Sequence, residues 1–159
     1  MSKRKYLKIG IDFHGVISQN PEYFKELAHE LIHRGHEVHI ITGGPCQKIE
    51  QTLKEMDFCY TQAFAILDHY EGMGMVQHCN DGSFHIDDEL WDSAKAKYCQ
   101  DYNINLHIDD SKIYLQYFKT PYCHYEADAQ ICTLDGEPCL DFRCPVTKVV
   151  DDIENLFIC

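Results

Sequence analysis

The sequence predicts an α/β fold: a parallel sheet with helices on both faces. Three observations lead to it. Strand-like and helix-like segments alternate at least four times along the 159 residues, the pattern of a parallel sheet with crossover helices. The first strand-like run ends Ile9-Gly10-Ile11-Asp12, an apolar stretch suited to a strand covered on both sides. Asp12, Thr42 and Asp109 each close such a run, and ligand sites in open α/β sheets lie outside the carboxyl ends of the strands.

The elements follow in order. The first strand is expected over Tyr6 to Asp12, and Gly15 permits a sharp turn and a close approach to ligand. Asn20 offers a cap and Pro21 a first helical position. Phe24, Leu27, Ala28, Leu31 and Ile32 then recur at helical spacing until Gly35. A second strand runs Glu37 to Thr42 and breaks at Gly43-Gly44-Pro45. A helix follows to about Met56, with Ile49 and Leu53 inward. A third strand is expected near Ala63 to Leu67. The period then fails over about 68–84, where Gly72, Gly74, Asn80, Asp81 and Gly82 mark a small insertion. Asn80-Asp81-Gly82-Ser83 suits a hairpin turn. A helix resumes from Asp87 or Asp88 to Asp101, carrying Leu90, Trp91, Ala94 and Tyr98 on one face. A fourth strand, Ile104 to Ile108, ends in Asp109-Asp110-Ser111 and leads to a short helix through Phe118. Thr120 to Cys144 is turn-rich, with room for one or two strands, and Val146 to Phe157 closes the chain as a helix. Neither a repeat nor a second large domain is visible, so one domain over residues 1–159 is expected.

The formal net charge of −12 argues against duplex nucleic acid or an anionic membrane as partner. It leaves room for a small phosphorylated substrate, because a bound divalent cation inverts the local field. No apolar run reads as a secretory signal core or a membrane span, so a cytoplasmic protein is expected. Nine cysteines, an odd number at irregular spacing, read as reduced thiols. Cys123-His124, Cys132, Cys139 and Cys144 are zinc-type ligands, but they contain no CxxC pair; small buried hydrophobes with a few exposed thiols is the plainer reading.

Four motifs in order resemble the haloacid dehalogenase (HAD) superfamily of phosphatases. Asp12-Phe13-His14-Gly15-Val16-Ile17 resembles the first, Asp-x-Asp-Gly-x-hydrophobic. Ile40-Ile41-Thr42-Gly43-Gly44 resembles the second. Lys95, ahead of the fourth strand, is the best match to the third, with Lys97 its competitor. Ile108-Asp109-Asp110-Ser111 resembles the fourth. The motifs span residues 12 to 110, about two thirds of the chain. The resemblance implies a Rossmannoid three-layer sandwich whose cap is minimal or absent. It also implies a Mg2+-dependent phosphomonoester hydrolase in which Asp12 attacks phosphorus and becomes an aspartyl phosphate. Mg2+ would be held by Asp12, the backbone carbonyl of His14 and Asp109, with Asp110 acting through a water. Thr42 and a following backbone N–H, that of Gly43, would donate to phosphate oxygens, and Lys95 would neutralise charge between Asp12 and the phosphate. The substrate would be a phosphorylated small molecule, a nucleotide or a nucleic-acid end.

Physical chemistry supports the roles independently. Phosphoryl transfer needs an in-line nucleophile and compensation for charge on the equatorial oxygens. Adjacent acids such as Asp109 and Asp110 repel unless a cation or donors offset them. Plainer readings remain for single residues: Thr42 as a cap for the Pro45 helix, Lys95 as a solvated lysine. His14 departs from the family pattern, which has a second Asp there. Imidazole suits general acid–base work, so His14 is expected to take that part; the other reading is a slow or non-catalytic phosphate- or protein-binding module. His69, Tyr70, Met73, Met75 and His78 of the insertion are candidate substrate contacts, or a packing cluster of the loop itself.

Overall fold

The computed structural model describes residues 6–157. Its centre is a seven-stranded sheet. The parallel strands are β1 (Lys8–Ile11), β2 (Glu37–Thr42), β3 (Gln62–Ala65), β6 (Leu106–Asp109) and β7 (Tyr122–Glu126). Two further strands, β8 (Ile131–Leu134) and β9 (Glu137–Asp141), continue the sheet antiparallel. The order is β3-β2-β1-β6-β7-β8-β9, so β1 lies between β2 and β6. A separate hairpin pairs β4 (Gln77–His78) with β5 (Phe84–His85).

The helices are α1 (Pro21–His33), α2 (Cys46–Glu55), α3 (Ile66–Gly72), α4 (Asp88–Asp101) and α5 (Val146–Leu156). Alternation along β2 shows how they divide between the faces. Val38 and Ile40 join a core with Phe24, Leu27, Leu31, Leu53 and Val150 of α1, α2 and α5. Ile41 points the other way, against Tyr98 and Cys99 of α4. The sheet is therefore covered on both sides, which is why every residue of β6, and every residue of β1 after Lys8, is buried. Among the described residues no helix is long and apolar enough to cross a membrane.

The sheet is mostly parallel as expected, but the end of the third strand and the strand count after residue 120 differ from the sequence reading. The third strand stops at Ala65, and Ile66 and Leu67 open α3 instead. Their burial with Tyr70 has helical spacing, which the short apolar run had hidden. The insertion therefore starts with a helix, and Tyr70 belongs to the core, its hydroxyl donating to the Leu90 carbonyl. The region Thr120 to Cys144 holds three strands, not one or two. The short helix expected after β6 is present as a 3-10 helix, Leu115–Tyr117. The expected hairpin is present: the Cys79 N–H donates to the Ser83 carbonyl, and Gly82 takes φ +87.

Arg34, just past α1, ties that helix to α5. Its guanidinium donates to Glu30, Asp151 and Glu154 at 2.8, 2.6 and 2.5 Å and to the Thr147 carbonyl at 3.2 Å. The side chain is 13% exposed, so truncation removes a buried charge-assisted donor from Glu30, Asp151 and Glu154 together. Arg34→Ala is expected to cost about 2–3 kcal/mol, read as a Tm lower by about 4–12 °C; an unchanged Tm contradicts this clamp.

Candidate functional site

Asp12 follows β1, and its N–H donates to the Ile108 carbonyl at 3.0 Å. That bond continues the register Ile11↔Ile108 and sets Asp12 beside Asp109, the last residue of β6. One carboxylate oxygen from each of Asp12, Asp109 and Asp110 lies within 4.8 Å of the others. Lys95 reaches in from α4. Its Nζ is 2.7 Å from Asp109 Oδ2 and 3.1 Å from Asp12 Oδ1, and its side chain is 2% exposed. Lys97, on the same helix, is exposed and is not paired with these acids among the described residues. Thr42 closes β2, fully buried, and its hydroxyl has no hydrogen-bond partner among the described residues. It does not cap α2. That part falls to Asp68, whose Oδ1 accepts from the Cys46 N–H at 2.8 Å.

Gly15 supplies the backbone freedom expected for the turn, and it also faces the Asp110 carboxylate. Its φ is +84, and a Cβ at this position would lie 2.1 Å from Asp110 Oδ2. The turn after β1 is thus pressed against the Asp110 carboxylate. His14, in the same turn, is exposed. Its ring stands edge-on to Phe13 at 5.1 Å and makes no hydrogen bond with the described residues.

Sequence reasoning missed a supporting layer. His107 lies two residues before Asp109 in β6, on the same face of the strand, and its Nε2 is 2.9 Å from Asp109 Oδ2. Gly10 pairs with His107 in the register, and any Cβ on Gly10 would come 2.8 Å from the imidazole. Phe118 stacks on the ring at 5.2 Å. The Ser111 N–H donates to Asp109 Oδ1 at 3.1 Å. The Tyr122 hydroxyl donates to the Ser111 carbonyl, and His124 Nε2 reaches the Asp110 carbonyl at 2.9 Å. These contacts fix the chain that carries both acids. The available signal was a polar residue, His107, inside an otherwise apolar strand, opposite a glycine.

The electrostatics follow from burial. Burial raises the Asp12 carboxyl well above its ordinary value and the neighbouring acids add to the rise, while Lys95 opposes it. Burial works on Asp109 too, but hydrogen bonds from His107 and the charge of Lys95 outweigh it and hold Asp109 low. Burial and Asp109 raise Asp110. Burial would cost Lys95 its proton, yet Asp12 and Asp109 keep the ammonium charged. Burial lowers His107, while its contact with Asp109 opposes that shift. Three carboxylates against one ammonium leave excess negative charge on hard oxygen donors. That donor set fits Mg2+, which takes oxygen ligands and keeps several waters. Asp12, Asp109 and Asp110 are the residues that can hold it. The Cys123, Cys132, Cys139 and Cys144 thiols and His124 form no comparable ligand group among the described residues.

Neither a family model, nor a curated protein, nor a solved structure matches this chain.

Lys95→Met removes the ammonium and leaves Asp12 and Asp109 facing each other in a buried site. A loss of about 3–5 kcal/mol is expected at neutral pH. The sign with pH follows: without Lys95 the Asp12 carboxyl rises further above the unfolded value of about 3.9, and Asp109 loses part of what holds it low. Both shifts are upward, so they cost nothing in acid and cost stability as pH rises. The Tm gap from the parent should widen from about pH 4 to pH 7 and narrow again when Mg2+ is added; a gap independent of both contradicts the assignment.

Proposed function

We propose that the chain is a Mg2+-dependent phosphomonoester hydrolase of the HAD type, working through a phosphoaspartate on Asp12. The observation that carries this reading is the Lys95 ammonium held 3.1 Å from Asp12 and 2.7 Å from Asp109, beside a buried Thr42 hydroxyl with no described partner. Four separate stretches of chain supply a nucleophile, a cation, an oxyanion donor and two further acids to one edge of the sheet.

The residues divide the work as follows. Asp12 attacks phosphorus through a carboxylate oxygen, forming the new P–O bond as the ester oxygen departs. His14 gives that oxygen its proton and then takes one from a water. The water attacks phosphorus, frees inorganic phosphate and restores the Asp12 carboxylate. The Thr42 hydroxyl and the Gly43 N–H donate to the phosphoryl oxygens throughout, where charge builds in the transition state. Lys95 offsets charge between Asp12 and the incoming phosphate. Asp12, the His14 carbonyl and Asp109 would hold Mg2+ directly, with Asp110 through a water. When bound, the ion supplies the charge neutralisation that lets a carboxylate approach a dianion. His107 and Ser111 act through Asp109 as positioning residues. A second reading, a phosphate- or protein-binding module without turnover, is favoured by one observation: His14 is exposed and unengaged, where an acid–base group is held by its partners in many sites.

Turnover of para-nitrophenyl phosphate with Mg2+ separates the two. Asp12→Asn and chelation with EDTA should each reduce the rate at least about 1000-fold, the scale of a lost nucleophile. His14→Ala should cost about 100-fold or more, the scale of general acid–base catalysis, and His14→Asp should recover most of it. Equal background rates for the parent and Asp12→Asn establish the binding module instead. Parent-like rates in both His14 variants remove the histidine from catalysis.

A further inference from the structure

The rim of the carboxylate site is built from aromatic rings. Trp91 and Lys95 are four residues apart on α4 and so share a face of the helix. Lys95 points at Asp12 and Asp109, whereas the six-membered ring of Trp91 lies against Gly43, 3.1 Å from where a Cβ there would stand. Trp91 therefore abuts the Thr42-Gly43 turn, about 6 Å along the helix axis from the level of Lys95. Tyr114, on the segment after β6, lies with its ring centroid 4.6 Å from Lys95 Nζ. Phe84 of the insertion hairpin completes the wall, its ring 5.8 Å from that of Trp91 and 42% exposed.

A second observation points the same way. Among the described residues, five of the eight large exposed apolar side chains (Met73, Met75, Phe84, Ile113 and Leu115) lie on the two segments that leave the carboxyl ends of β3 and β6. Exposed apolar surface is thus concentrated on those two segments and not scattered, as single exposed hydrophobes usually are.

We infer that this rim is a stacking platform, and that the substrate is a nucleoside 5′-monophosphate whose base lies on Phe84 and Trp91 while its phosphate meets Thr42 and Asp12. The inference rests on the hydrolase reading above and narrows it to one substrate class. A flat ring gains most from a ring face, and a sugar is a spacer of the size that a helical turn between anchor and platform calls for. The net charge of −12 disfavours a polyanion, so a free nucleotide fits better than the phosphorylated end of a nucleic acid.

Trp91 is the single tryptophan, which makes the full-length protein its own probe. Adenosine 5′-monophosphate should quench its fluorescence saturably, whereas ribose 5-phosphate should not. With Mg2+ present, kcat/KM for adenosine 5′-monophosphate should exceed that for ribose 5-phosphate at least tenfold and that for a 5′-phosphorylated oligonucleotide several-fold. Phe84→Ala, on the exposed hairpin, should reduce the nucleotide-to-ribose phosphate ratio at least fivefold, within the range for loss of one stacking ring. Equal kcat/KM for nucleotide and ribose phosphate overturns the platform and leaves the hydrolase standing. Saturable quenching by the nucleotide with no phosphomonoester turned over overturns the hydrolase and leaves the platform standing. A preference for the oligonucleotide overturns the choice of a free nucleotide.

Discussion

A buried ammonium between two buried carboxylates sets the terms for everything around it. Lys95 sits between Asp12 and Asp109 with 2% of its side chain exposed. Each of these groups alone would lose several kcal/mol of hydration on burial. They persist because mutual attraction at short range and a set of added donors offset the loss. Asp109 is the most fully supported of the three, with His107 and Lys95 on one oxygen and the Ser111 N–H on the other. Asp12 is less supported and its carboxyl is correspondingly raised. Of the two carboxylates paired with Lys95, the one with fewer donors is therefore assigned the reactive part, and the better-held is assigned to holding an ion.

The fold explains how the chain can afford this geometry. Parallel strands all end at the same edge, so β1, β2 and β6 deliver Asp12, Thr42 and Asp109 together without any loop having to fold inward. α4 lies across the sheet face behind them and contributes Lys95, while Tyr98 and Cys99 on the same helix bury against Ile41. The helix that packs the core is thus also the one that aims the cation. Two glycines make the close approaches possible: Gly10 leaves space for His107, and Gly15 lets the turn after β1 meet Asp110. By contrast His14 and Phe84 stand exposed on the solvent side, with Tyr114 half-buried over Lys95. Support is concentrated beneath the acids and openness above them.

Much of this was legible in the sequence, for a physical reason. An apolar strand ending in a polar residue is conspicuous, because burial excludes polar groups elsewhere in the run. Asp12, Thr42 and Asp109 stood out in this way. Lys95 was harder, since two lysines fall in the same helix. The stripe Trp91-Lys95-Cys99 could have decided it, as that lysine lies between apolar residues at helical spacing and Lys97 does not. His107 carried a signal that was passed over, a polar residue within an apolar strand. Other features were not local at all. The pairing of β8 and β9 with β7 depends on contacts distant in sequence, and their short, cysteine-containing runs have no clear alternation. The start of α3 was hidden because Ala63 to Leu67 is apolar whether read as strand or helix. The aromatic wall joins Trp91, Tyr114 and Phe84 from three segments, and no spacing rule links them.

The central claim is that Asp12 is a nucleophile held ready by Lys95 for a phosphoryl group. A crystal structure with Mg2+ and beryllium fluoride tests it most directly, because trifluoroberyllate on a carboxylate imitates an aspartyl phosphate. The account predicts the fluoride complex on an Asp12 oxygen, with Thr42, Gly43 and Lys95 around the fluorines and the ion between Asp12 and Asp109. An Asp12 side chain still paired with Lys95, with no beryllium on it and no ion among the acids, would contradict the account.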